Sequence, residues 1–91
     1  MGEVVPFPKR PAALPFTGED IVALGRLVDR LRPAGAMGWE LDPTRACTRA
    51  FVIGIEDETL LIVDKTVHGI AIHSGFAHRL IWRGDTLARY A

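Results

Sequence analysis

Residues 50–83 read AFVIGIEDETLLIVDKTVHGIAIHSGFAHRLIWR, and this stretch decides the fold. It holds four apolar runs, at 51–55, 60–63, 67–72 and 80–82. Each is rich in Val, Ile or aromatic side chains, and each is bounded by charged, Gly or Ser positions. Such spacing predicts consecutive short strands. With turns this short between them, an antiparallel meander is the expected arrangement.

Working outward toward the N-terminus, the next element is a helix. Thr17-Gly-Glu-Asp20 fits a capping box with Asp in the reciprocal position, and Glu19 and Asp20 suit the positive end of a helix dipole. Phe16 and Ile21 occupy the positions of a hydrophobic staple. Ile21, Leu24, Val28 and Leu31 recur at helical spacing, Leu27 widens the stripe, and Arg26, Asp29, Arg30 and Arg32 fall mainly on the opposite side. Pro33 and Gly35 end the helix. Before it, Pro6, Pro8, Pro11 and Pro15 define residues 1–16 as an extended Pro-rich arm. That arm is either a disordered leader or a segment packed on the domain or on a neighbouring subunit. Beyond the helix, 34–38 reads as a loop and 39–42 as a possible first strand stopped by Pro43. Asp85 is placed to cap a short C-terminal helix over 86–90.

The expected architecture is therefore α+β. One amphipathic helix packs on a four- to five-stranded antiparallel meander sheet, with a short C-terminal helix and the Pro-rich arm. Residues 17–91 form a single domain in this reading, since a chain of 91 residues has one modest core to build.

Register arithmetic then sorts the strand residues by face. Turns at Asp57-Glu58, Lys65-Thr66 and 74–77 pair Ile55 with Leu60, Ile62 with Gly69, and His73 with His78. One face carries Phe51, Ile53, Ile55, Leu60, Ile62, Val67, Gly69, Ala71, Leu80 and Trp82, and is expected to lie under the helix. The other carries Val52, Gly54, Leu61, Val63, Ile70, Ile72 and Ile81, with His68, Arg79 and Arg83 at its margin. A second face this apolar calls for a cover, because bare apolar patches mark interfaces. The arm, the C-terminal helix or another chain would serve. The reading favours a twofold copy, and names Leu61, Val63, His68, Ile70, Ile72 and Ile81 as the interface.

Chemistry is sparsely signalled. Glu58, His73 and His78 come together in this register as a weak candidate metal or acid–base cluster. Asp64 is placed at the far end of the strands from them. Arg45, Arg49, Arg79 and Arg83 form a candidate anion-binding rim. Ser74, the only serine, has His73 beside it in sequence and not placed as a base, so a nucleophilic triad is disfavoured. No phosphate-loop, dinucleotide, zinc-protease or hydrolase motif is present.

Composition narrows the classes further. Eleven basic and eleven acidic residues leave a formal charge of zero, which argues against gripping a phosphate backbone as the main task. Cys47 is the only cysteine, so no intrachain disulfide can form; it reads as a small buried hydrophobe. No apolar run reaches the roughly 20 residues of a membrane span, and no signal-peptide core is seen. The expectation is a cytoplasmic, non-catalytic interaction or ligand-binding module that self-associates as a homodimer. It has no cofactor and no membrane association. A small enzyme or metal site at Glu58, His73 and His78, and a nucleic-acid binder using the arginine rim, are the alternatives.

Overall fold

Thr17 opens the helix as its sequence dictates. Its hydroxyl accepts the Asp20 backbone N–H at 3.2 Å, and Asp20 Oδ2 accepts the Thr17 N–H at 2.8 Å. Both halves of the capping box are made, satisfying two donors that a helix start leaves orphaned. The computed structural model describes residues 12–91. Helix α1 spans Gly18–Leu31 and continues into a 3-10 turn at Arg32–Ala34. Gly35 then takes φ 102, a left-handed conformation that favours glycine, and ends it. The strands follow as β1 (Ala36–Leu41), β2 (Arg49–Gly54), β3 (Thr59–Thr66), β4 (Gly69–Ser74) and β5 (Leu80–Gly84). They form one antiparallel sheet in the order β1-β2-β3-β4-β5, the expected meander with five strands. The short C-terminal helix is a 3-10 turn at Leu87–Arg89, with Leu87 fully buried and no side-chain cap from Asp85.

The helix covers the face opposite to the one expected. Ala50, Val52, Leu61, Val63, Ile70 and Ile72 form the core with Ala23, Leu24, Leu27 and Val28 of α1. Trp39, Leu41 and Trp82 pack at its margin. Ile55, Val67 and Leu80, placed under the helix by the register arithmetic, are exposed. The reason is electrostatic. Arg49 and Asp64 share a phase with Phe51 and Ile62, so burying that face would bury charges as well. The alternate phase carries no charge from Ala50 to Val63 except in the intervening loop, and the one charge that follows, Lys65, finds a partner on α1. Its Nζ donates to Asp20 Oδ2 at 2.6 Å. Each fully buried Leu, Ile or Val contributes about 1.5–3 kcal/mol, enough to make this choice of face decisive.

Three registers also differ. The first hairpin closes over a loop from Gly54 to Glu58, where the Gly54 N–H donates to the Glu58 carbonyl and Asp57 sits at φ 66. Phe51 therefore pairs with Ile62 and not with Asp64. The second turn is Val67-His68, beyond Lys65-Thr66, so Ile62 pairs with His73. Both shifts are even and keep the faces over Phe51–Ile62 and Ile62–His73, while a bulge between Val52 and Ile53 sets Ile53 opposite Thr59 and lets Leu60 pack against the core. The third is odd: a bulge between Ile72 and His73 puts His73 opposite Leu80 and Ile72 opposite Trp82. Trp82 thus moves to the helix side, where its ring lies over Gly84 and stacks on Tyr90 with centroids 5.1 Å apart. Arg30 of α1 covers the other ring at 4.8 Å from its centroid.

The chain before α1 is paired within the domain from residue 12 on. Ala13 bridges Thr66, the Leu14 N–H donates to the Lys65 carbonyl, and the Val67 N–H donates to the Ala12 carbonyl. This short pairing occupies the edge of β3 past the point where β2 begins. Val4, Val5 and Phe7 lie outside the described residues. Cys47 is exposed, not buried, in the β1–β2 loop, where Ala46 and Cys47 both have positive φ.

Two outcomes follow. Ile72→Ala should cost about 2–4 kcal/mol in urea unfolding through the cavity it leaves, whereas Ile62→Ala on the open face should cost about 1 kcal/mol or less at monomer concentrations. Burial alone would push the Asp20 carboxyl up, but Lys65 and the Thr17 contacts outweigh it and hold the pKa below the ordinary value. A depressed carboxylate contributes stability above its unfolded pKa of about 4 and loses it as pH falls through the folded value. The unfolding midpoint should therefore drop as pH falls below about 4, and Asp20→Asn should flatten that drop.

Candidate interaction face

The side of the sheet away from α1 carries the residues with chemistry. Pairing places Asp42, Arg49, Asp64, Ala71 and Arg83 in one row across the strands. Glu40, Phe51, Ile62, His73 and Leu80 form the next, and Gly38 and Ile53 begin a third. Phe51, Ile53, Ile62 and His73 are half-buried, while Leu80 and Ile81 remain 44% and 47% exposed. No second layer lies over this face among the described residues.

An ion pair sits in the middle of the first row. Arg49 Nε donates to Asp64 Oδ1 at 2.6 Å and Nη2 donates to Oδ2 at 3.1 Å. The Asp64 hydrogen bond, more than any other effect, pushes the Arg49 pKa up and fixes its charge. Asp42 lies beside it on β2's other side. The Thr44 hydroxyl and backbone N–H both donate to its carboxylate and hold its pKa below the usual value. The face is thus polarised. Glu40 and Asp42 make the β1 edge acidic; Arg83, with Arg79 at the entry to β5, makes the opposite edge basic.

His73 and His78 line a shallow depression of about 200 Å³ together with Arg49, Ile62 and Asp64. Asp64, expected far from them, is their neighbour because β3 and β4 pair four residues out of the expected register. Glu58 does not join them. Its carboxylate accepts the Glu56 N–H at 2.8 Å and lies over Gly54, and it lines a separate depression with Ser74 and Phe76. No three His, Cys, Asp or Glu side chains among the described residues come together as a metal would require. The arginine rim is dispersed: Arg49 is bound to Asp64, Arg45 is exposed in the β1–β2 loop, and Arg79 and Arg83 are exposed at the far edge. Of the residues expected at the interface, Leu61, Val63, Ile70 and Ile72 are core. His68 is exposed in the β3–β4 turn, and only Ile81 lies on the open face.

Phe51, Ile53 and Ile62, expected under the helix, lie on the open face together with Glu40 and Asp42. The signal that finds the first three is charge phase. Arg49 lies two residues before Phe51, and Asp64 two after Ile62, so each shares its strand face.

The fold and this face together define a small α+β domain with one sheet surface covered by its own helix and one open. No protein-family model matches the sequence, and no curated protein or solved structure is significantly similar to it. No helix among the described residues is long and apolar enough to cross a membrane.

At 26% and 23% side-chain exposure the Arg49–Asp64 pair is partly screened. A double-mutant cycle of Arg49→Ala and Asp64→Ala, read by urea unfolding, should give a coupling of about 0.5–1 kcal/mol that shrinks in high salt.

Proposed function

We propose that the protein is a non-catalytic interaction module that associates with a second copy of itself through the open sheet face. The observation that carries this is the Phe51, Ile53 and Ile62 cluster, half-buried within the monomer and continued by the exposed Leu80 and Ile81. A one-helix, one-sheet domain ordinarily presents polar residues on its outer side, with apolar ones turned to the core. Here the centre of the outer side is apolar and its charges stand mostly along the flanks. A buried centre inside a polar rim is how interfaces are built.

A face five strands across is small, so the association is weak and concentration-dependent. A cytoplasmic location is part of the same proposal. The exposed lone thiol of Cys47 supports it, since unpaired exposed thiols persist in reducing compartments.

Sedimentation tests the reading directly. The wild type should shift from monomer toward dimer as its concentration rises to about 100 µM, and Ile62→Glu should stay monomeric with an unchanged circular dichroism spectrum. A wild type that is strictly monomeric throughout, or an Ile62→Glu variant that dimerises as well as wild type, would overturn it.

A further inference from the structure

We infer that the second copy docks about a twofold axis running along β3, so that the acidic β1 edge of each copy lies against the basic β5 edge of the other. The inference rests on the self-association proposed above and fixes its geometry. Two sheets packed face to face keep their strands nearly aligned, within about 30°. A twofold axis in the plane between them then has two simple settings. An axis across the strands lays β1 over β1 and β5 over β5. That setting also reverses the row order, so with the axis over the Glu40 row it stacks Glu40 on its own copy, sets Asp42 over Gly38 and keeps Arg83 away from both acids. An axis along the central strand β3 reverses the strand order and keeps the rows. It brings Asp42 over Arg83 at both flanks, with Glu40 over Leu80 in the next row and diagonal to Arg83, and like charges are separated there.

The monomer leaves these edge charges apart. Five strands spaced about 4.8 Å put β1 and β5 about 19 Å from each other, beyond the Debye length of about 8–10 Å at physiological salt. Among the described residues neither Glu40 nor Arg83 has an ion-pair partner. Their complementarity is realised only between copies. Along the same axis Ile62 meets Ile62 at the centre and Phe51 meets His73. One like-charge contact remains, Asp64 over Asp64 in the charged row. Each of these carboxylates already accepts two N–H bonds from its own Arg49, and the residue facing Arg49 is Ala71, which leaves space for the guanidinium. The apolar centre supplies the adhesion and the edge charges select the orientation.

A charge swap tests the geometry. Arg83→Glu and Glu40→Arg alter strand positions exposed to solvent, so each variant should keep the wild-type circular dichroism spectrum. Each alone should weaken the dimer about tenfold in sedimentation at low salt, and the two combined should return it to within about threefold of wild type. Single variants that dimerise like wild type, or a combined variant as weak as the singles, would overturn the docking geometry and leave self-association standing. A wild type that never dimerises would remove the reading beneath it as well.

Discussion

Lys65 holds the N-terminal third of the chain to the sheet. Its ammonium donates to Asp20, the residue that also completes the cap of α1. Its carbonyl accepts the N–H of Leu14, and its own N–H donates to Thr48 at the entry to β2. One residue thus fixes where the helix starts, where the preceding chain runs and where the β2–β3 pairing gives way to it. The pair is largely sheltered, with 18% and 11% side-chain exposure, so losing either partner would strand a charge at the rim of the core. The cost of that charge is also what makes the face selection firm. Lys65 sits on the helix side only because Asp20 is there to meet it.

Much of this fold was legible in the residues. The capping box, the helix stripe, the end at Gly35 and the meander are local features, governed by spacing and by side chains a few positions apart. The two faces were separated correctly over β2, β3 and β4, because period-two alternation survives an even register shift. Which face turned inward was misjudged. The size of Phe51, Ile53 and Ile62 suggested a core, while the charges at Arg49 and Asp64, in phase with them, spoke against it. Lys65 on the inward face has Asp20 of α1 to meet its charge, whereas α1 offers no partner to Arg49 and Asp64 beyond each other. The fate of β5 was not legible. A single bulge after Ile72 reverses the strand's facing, and nothing in the run Leu80-Ile-Trp82 announces it.

The candidate site inherits both outcomes. His73 and His78 were expected together and do line one depression, but Glu58 was displaced by the loop that replaced a tight turn. Asp64 entered through the register shift of β4. The consequence is a surface that is apolar at its centre and charged toward its flanks. Arg49 is already bound to Asp64, and His73 and His78 share a depression beside them.

The pairing of Ala13 with Thr66 has a consequence in time as well as space. The contacts of the sheet join neighbours in sequence, so its hairpins close over short loops and can form early. Asp20 and Lys65 lie 45 residues apart, and the Ala12–Leu14 pairing spans a similar separation. During synthesis α1 leaves the ribosome before any strand it will cover, with its Leu24, Leu27 and Val28 stripe still unpaired. The helix must wait until β3 and β4 have emerged, and Leu87 closes the last of the core. Of the described elements the first to emerge is therefore among the last to be covered, and its apolar stripe stays open to solvent for that interval.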